Sequence, residues 1–183
     1  FFDFNFDDKV ILVQEHDKLS LGKHSLTFFF APMVHWPEVL MMYEKHSKTF
    51  FSADAFGKFG VIDAKDNWID EARRYYVGIV AKYGMQVQNL LKKISHLEID
   101  RICSLHGPVL DKDLGKYISL YDLWSKFESE NKEGIFIAYT SVYGNTKEAV
   151  IKLKEELNSL GVEDVLIKDL SRTEMSENVA QAY

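Results

Sequence analysis

The chain is poor in cysteine, in positive charge and in long apolar runs, and each shortage excludes a class of protein. Its single cysteine, Cys103, excludes an internal disulfide bond and suits a reducing compartment. The net charge of −6 argues against nonspecific nucleic-acid binding, which needs a basic surface. No apolar run reaches the roughly 20 residues of a membrane-spanning helix. We therefore expect a cytoplasmic protein with neither nucleic acid nor membrane as a partner.

What the chain does contain is enough apolar material for a folded core. Hydrophobic residues make up 46% and aromatic residues 14% of its 183 residues, so global disorder is excluded. The sequence does not begin with Met but starts within an apolar, aromatic stretch, and it ends without a helix-stopping signal. We expect a piece of a longer protein, holding one domain of ordinary size and a fraction of another.

The first 55 residues predict consecutive short strands, because aromatic and β-branched residues are enriched there. The predicted strands cover residues 8–15, 24–31, 39–44 and 48–54. From residue 66 to 96 apolar residues recur every three or four positions, which predicts a helix. We expect Gly84 to divide this segment into two helices. A strand over 98–105 and a helix over 110–129 follow.

A charged, glycine-ended segment at 128–134 has the composition of a linker. It precedes a β–loop–α–β unit, with a strand over 135–140, a helix over 145–160 and a strand over 164–169. We therefore place a domain boundary between residues 130 and 131. The predicted fold class is α/β.

Three side chains that can bind a metal stand where predicted strands end. His35 lies between two strands, Asp54 ends the strand after the next, and His106 follows the strand over 98–105. Strand ends can converge on one edge of a sheet, where loops carry function. Imidazole and carboxylate groups suit zinc or iron, and a carboxylate can bridge two ions. The alternative is that each is an ordinary packed turn residue.

The segment from Thr140 to Thr146 has the pattern of a phosphate-binding loop between a strand and a helix. Ser141 and Thr146 supply hydroxyl groups, and Gly144 allows close approach of the backbone. Free N–H groups at the start of the helix favour an anion. The lack of a lysine in the required position argues against a nucleoside-triphosphate loop. The alternative is an ordinary helix N-cap.

These segments, taken together, resemble the flavodiiron proteins, also called A-type flavoproteins. YTSVYGNTKEA, from residue 139, resembles the FMN-phosphate loop of flavodoxins. APMVHWPEVL, FFSADAFG and LHGPV resemble, in order and spacing, three segments of the family's β-lactamase-like domain. The resemblance implies the C-terminal part of a metallo-β-lactamase-like αββα sandwich over 1–130. The first β-α-β unit of a flavodoxin-like parallel sheet would follow over 131–183.

The resemblance also implies a function, an oxidoreductase that uses FMN and a non-haem di-iron centre (two Fe). It would reduce O2 to water or NO to N2O, with electrons from rubredoxin or a flavin reductase, as a head-to-tail homodimer. His35 and His106 would be terminal iron ligands and Asp54 the bridging carboxylate. The residues that would wrap the FMN phosphate are Ser141, Val142, Tyr143, Gly144, Asn145 and Thr146.

The sequence departs from the family pattern in ways that leave rival functions open. The family's His-x-Glu-x-Asp-His cluster should lie upstream of Phe1, so we expect the piece by itself to be inactive. Lys58 and Phe59 replace the family's usual polar pair after the DAFG segment. One rival is a zinc hydrolase of the β-lactamase-like fold with an appended flavodoxin-like module. Another is an electron carrier or redox sensor with a vestigial metal site.

Overall fold

A computed structural model describes residues 10–62 and 67–182 of the chain. Within these residues there are seven strands and five α-helices. The strands are β1 Lys18–Leu21, β2 His24–Phe30, β3 Leu40–Glu44, β4 Thr49–Phe51, β5 Arg101–Cys103, β6 Ile135–Tyr139 and β7 Val165–Asp169. The helices are α1 Trp68–Tyr75, α2 Gly84–Ile94, α3 Leu114–Ser125, α4 Asn145–Ser159 and α5 Met175–Ala182.

The larger of the two sheets has the order β1-β2-β3-β4-β5. Neighbours from β1 to β4 are antiparallel, with Phe29 opposite Met41 in the β2–β3 pair. Strand β5 returns parallel to β4, which places Phe50 opposite Ile102. Because β4 and β5 run parallel, both end at the same edge of the sheet. The loops that follow them are therefore neighbours in space.

The buried face of this sheet packs against the helices in one hydrophobic core. Phe50, at 0% exposure, is a central sheet residue. On the helical side three fully buried aromatic rings contact one another, with centroids 5.1–5.7 Å apart. They belong to Tyr76, Tyr121 and Trp124. Large rings bury much apolar area, which explains why short strands suffice here.

The helical segment after α1 changes geometry twice before α2 begins. Asn67 caps α1 by accepting a hydrogen bond from the Ile69 N–H at 3.2 Å. A π-helical turn, Tyr76–Val80, and a 3₁₀ turn, Ala81–Tyr83, lead into α2, which starts at Gly84. The predicted division into two helices at this glycine is confirmed, while the predicted first residue of the segment, Asp66, lies outside the described residues.

The smaller sheet is the parallel pair β6–β7, connected by α4. Gly161, with φ +91°, follows the helix and ends it, since positive φ is favourable for glycine. The predicted β–α–β unit is confirmed. The division of the chain into domains at residue 130 stays a prediction.

The predicted strand over 8–15 is wrong for the part that the structure describes. Residues 10–14 have no strand pairing, and the Leu12 side chain is 88% exposed. Strand β1 occupies the edge of the sheet beside β2 instead. An apolar, β-branched run therefore predicts a strand even where the structure has no neighbouring strand to pair with it. Residues 8 and 9 lie outside the described part of the chain.

Candidate metal and FMN sites

A tight turn after β4 presents the Asp54 carboxylate. The Ser52 hydroxyl is buried and donates a 2.7 Å hydrogen bond to the carbonyl of Ala55. The Ala55 N–H donates back to the Ser52 carbonyl at 3.0 Å. Between them Ala53 has φ +49°, a left-handed conformation that the closed turn holds. Asp54 is thus fixed by backbone geometry more than by its own contacts.

The loop after β5 lies against this turn and carries His106. Three backbone hydrogen bonds join the two segments: Ser52 N–H to Cys103 O at 3.0 Å, Leu105 N–H to Ala53 O at 2.7 Å, and Lys58 N–H to His106 O at 3.2 Å. We call these three bonds the loop ladder. It continues the β4–β5 pairing beyond the strands and brings Asp54 and His106 together.

His35 comes from a separate loop, between β2 and β3. That loop is closed by its own backbone bonds, from Met33 N–H to Trp36 O at 2.7 Å and from Ala31 N–H to Val39 O at 2.9 Å. The peptide bond between Val34 and His35 is cis. The His35 side chain is 24% exposed, so it lies partly inside the fold.

The three side chains meet around Asp54. His35 Nε2 lies 3.4 Å from Asp54 Oδ2, and His106 Nε2 lies 3.3 Å from Asp54 Oδ1. Each carboxylate oxygen therefore faces a different imidazole. The carboxylate is 12% exposed and the His106 side chain 58% exposed, so the group opens to one side.

This donor set fits part of a metal centre. Two imidazole nitrogens and a carboxylate with both oxygens in use are ligands that iron and zinc accept. Across residues 10–62 and 67–182, no group of three or more His, Cys, Asp or Glu side chains, the group around Asp54 included, has an arrangement that could hold a metal ion as it stands. The role of His35, Asp54 and His106 as ligands stays a prediction.

A cavity of about 570 Å³ adjoins the two imidazoles. Its wall includes Phe59, Leu105, Lys58 and Tyr75. Lys58 is 4% exposed, and its Nζ donates a hydrogen bond of 3.2 Å to the Phe59 carbonyl. The cavity thus combines apolar rings with a few charged or polar groups, a composition typical of small-molecule sites.

Tyr75 is a cavity residue that sequence reasoning missed. Its ring centroid lies 6.0 Å from that of His106, and it packs edge-on against Phe59 at 5.1 Å. Burial, and then the negative charge of Asp54, raise the pKa of the Tyr75 hydroxyl to about 12. The phenol therefore keeps its proton at neutral pH. On the helical pattern alone Tyr75 cannot be distinguished from a core residue.

The predicted phosphate loop connects β6 to α4. Gly144 has φ +93° and stands just before the first helical residue, Asn145. Its N–H donates a 3.1 Å hydrogen bond to Ser141 Oγ, which closes the loop. The side chains of Val142 and Tyr143 are 86% and 91% exposed.

This geometry fits a phosphate group. The first N–H groups of α4, beginning with Asn145 and Thr146, have no carbonyl partner within the helix, and the helix dipole favours an anion there. The exposed Tyr143 ring stands beside that position in the chain. Binding of FMN by these six residues stays a prediction.

Comparison with known proteins extends these observations. The family model described as "ODP family beta lactamase" matches residues 1–107. The "Nitric oxide reductase" of Moorella thermoacetica is 31% identical over 175 residues, covering 91% of this chain and 42% of that protein. An uncharacterized protein of Methanocaldococcus jannaschii is 30% identical over 159 residues, and the match covers 84% of this chain and 40% of that protein.

Among solved structures, the flavodiiron protein from Giardia intestinalis superposes with a TM-score of 0.82 at 25% identity. The match covers 93% of this chain and 43% of that protein. The predicted β-lactamase-like α/β fold is thereby confirmed, and the β6–α4–β7 unit is consistent with the flavodoxin-like part. The chain spans about two fifths of the length of these relatives. In the described residues, no helix is both long and apolar enough to cross a membrane.

Proposed function

The chain belongs to the ODP beta-lactamase family and its relatives are flavodiiron proteins, and from that premise we propose that the full-length protein is an FMN- and di-iron-dependent oxidoreductase. It reduces O2 to water, NO to N2O, or both. A relative at 31% identity named nitric oxide reductase supports reductase chemistry.

The proposal rests on the position of the Asp54 carboxylate, whose two oxygens each lie near a different imidazole. Oδ2 faces His35 at 3.4 Å and Oδ1 faces His106 at 3.3 Å. A carboxylate whose two oxygens each lie beside a different imidazole could offer one oxygen to each of two ions. His35, Asp54 and His106 would therefore supply three of the ligands of an iron pair. When bound, that pair supplies the binding and reduction of O2 or NO.

The residues around His35, Asp54 and His106 position these side chains and line the cavity beside them. The loop ladder fixes Asp54 relative to His106 without help from their side chains. The Phe59 and Tyr75 rings pack together and form an apolar part of the cavity wall, where electrostatic interactions are stronger than in water. The Tyr75 hydroxyl remains a hydrogen-bond donor at neutral pH, because its pKa is raised to about 12.

Electrons would reach the site from an FMN bound by the flavodoxin-like unit. The loop from Ser141 to Thr146 would bind the FMN phosphate at the N-terminus of α4. FMN, when bound, supplies electrons one at a time. We propose rubredoxin or a flavin reductase as the donor, a head-to-tail homodimer as the assembly and the cytoplasm as the location. The 183-residue chain alone should be inactive, since three ligands do not satisfy two irons.

The test is a comparison of Asp54→Ala with Asp111→Ala in the full-length protein. Asp111 is exposed and does not line the cavity, so Asp111→Ala removes the same charge outside the site. We expect Asp54→Ala to lose iron and NADH-coupled O2 and NO consumption while keeping FMN, and Asp111→Ala to keep all three. Unchanged iron content and activity in Asp54→Ala would refute the ligand assignment. Stoichiometric zinc with hydrolytic activity and no flavin would favour the hydrolase instead.

A further inference from the structure

Gly57 stands at the contact between the Asp54 turn and the His106 loop. A Cβ atom added at Gly57 would lie 2.8 Å from the His106 carbonyl oxygen and 3.0 Å from the Asp54 carbonyl oxygen. Both neighbours are backbone atoms, so neither can rotate away as a side chain would. Any other residue at this position would therefore force the backbones of the two loops to shift.

The requirement for glycine here is spatial. Gly57 is not among the glycines with positive φ, so an alanine could adopt its backbone conformation. Its N–H donates a 3.2 Å hydrogen bond to the Asp54 carbonyl, and the next N–H, of Lys58, donates to the His106 carbonyl. Positions 57 and 58 thus bond to both loops, and a methyl group at 57 would push the loops apart.

A second glycine closes the same contact from the other side. Gly107 has φ +109°, and a Cβ there would lie 3.2 Å from Lys58 Cγ. The segments 54–58 and 106–107 are therefore in close contact at both glycines. Residual cavities and overlaps at such contacts are costly because protein interiors are close-packed.

We propose that Gly57 is a positioning residue, whose missing side chain sets the separation of Asp54 from His106 and so the spacing of the metal site. The geometric part depends only on the described contacts, whereas the effect on metal rests on the proposed function. Gly57 touches neither metal nor substrate itself.

The test compares Gly57→Ala with two other glycine-to-alanine variants of the full-length protein. Gly84→Ala is the matched control for a steric clash, since its Cβ would overlap the Ser125 carbonyl between α2 and α3. Gly78→Ala is the control for the substitution itself, since a Cβ there meets nothing within 4 Å. We expect all three variants to fold.

Two measurements are made on each variant. Amide hydrogen exchange at Lys58 and Leu105 reports the loop ladder without any metal, and we expect it to be at least tenfold faster in Gly57→Ala only. Titration with Co²⁺, followed by its visible absorption bands, reports ligand geometry. Here we expect about a tenfold weaker affinity and a changed spectrum in Gly57→Ala only, as for loss of a residue that orients ligands.

The outcomes separate this inference from the proposed function. Unchanged exchange at Lys58 and Leu105 in Gly57→Ala would overturn the inference, whatever the metal result. The same would follow if Gly57→Ala failed to fold, because a general packing role would then suffice. Absence of Co²⁺ binding by the unaltered protein would instead count against the metal site, while faster exchange in Gly57→Ala would still support the positioning role.

Discussion

The Glu130 side chain anchors the segment that composition identifies as a linker. Removing the Glu130 carboxylate should measurably destabilise the fold. The carboxylate accepts hydrogen bonds from Arg73 Nε at 2.6 Å and from a terminal nitrogen of the Arg73 guanidinium at 2.8 Å. It also accepts one from the Trp124 indole N–H at 2.7 Å. The segment after α3 is thereby bonded to α1 and to the aromatic core.

The magnitude follows from burial. Breaking a fully buried ion pair costs about 3–5 kcal/mol, and an exposed pair contributes about 0–1 kcal/mol. The side chains of Arg73 and Glu130 are 15% and 25% exposed, which lies between these limits and nearer the buried one. We expect Glu130→Ala to lower the free energy of unfolding by about 2–3 kcal/mol, because it leaves the Trp124 indole N–H without its acceptor and the Arg73 guanidinium with only the exposed Asp70 carboxylate, 3.2 Å away, as an ion-pair partner.

The pH dependence gives an independent check. Burial raises the pKa of Glu130, but the bonds from Arg73 and Trp124 outweigh burial, and the net pKa is lowered from 4.5. A carboxylate with a lowered pKa stabilises the fold above its unfolded-state pKa and loses that effect as the pH falls below it. The difference between the unaltered protein and Glu130→Ala should therefore be full at pH 7 and shrink below about pH 4.5.

The assay is urea unfolding followed by tryptophan fluorescence, with Glu128→Ala as control. Glu128 lies in the same segment and pairs with Lys132 at 3.4 Å, but its side chain is 46% exposed. We expect a loss of at most about 0.5 kcal/mol there. A loss below about 0.5 kcal/mol in Glu130→Ala, or an equal loss in both variants, would refute the reasoning.

Two further predictions concern groups outside the cavity. A hydrogen bond from the Ser47 hydroxyl, with others from the backbone N–H groups of Ser47 and His46, lowers the pKa of Glu44 well below 4.5. Glu44→Gln should therefore lower the melting temperature at pH 7, with the difference fading as the pH falls below about 4.5; a pH-independent difference would contradict this. Burial raises the pKa of the Cys103 thiol, so iodoacetamide should alkylate it more slowly at pH 8 than an unstructured cysteine peptide, and equal rates would contradict the burial.

Much of the fold could be predicted because periodicity and turn residues act locally. Strand β2, the β3–β4 hairpin and the unit from β6 to β7 all have apolar patterns bounded by turns. The run at 10–14 shows the limit of this reasoning. Its aliphatic, β-branched residues favour a strand, but strand formation depends on a pairing partner, which a local pattern does not contain.

Part of the candidate site could also be predicted from local patterns. His35, Asp54 and His106 could be identified because each follows a strand, and parallel β4 and β5 end at one edge. Lys58 and Phe59 could be placed near the site only through the family resemblance, and Tyr75 and Gly57 could not be identified. A tyrosine on a helix normally lies in the core, and only tertiary contacts place Tyr75 in the cavity wall.

Glu130 illustrates a related limit. Its neighbours are acidic and polar, so composition indicates a flexible connection. The partners that anchor it, Arg73 and Trp124, lie 57 and 6 residues away along the chain. Charge patterning alone does not indicate which carboxylate finds such partners.

The ladder between the Asp54 turn and the His106 loop has an evolutionary consequence. Its donors and acceptors are peptide groups, which every residue except proline supplies in full. Substitutions at the participating positions therefore leave these bonds available as long as the contact at Gly57 stays open. Distant relatives could exchange most of the surrounding side chains and still inherit the same separation between the carboxylate and the imidazole.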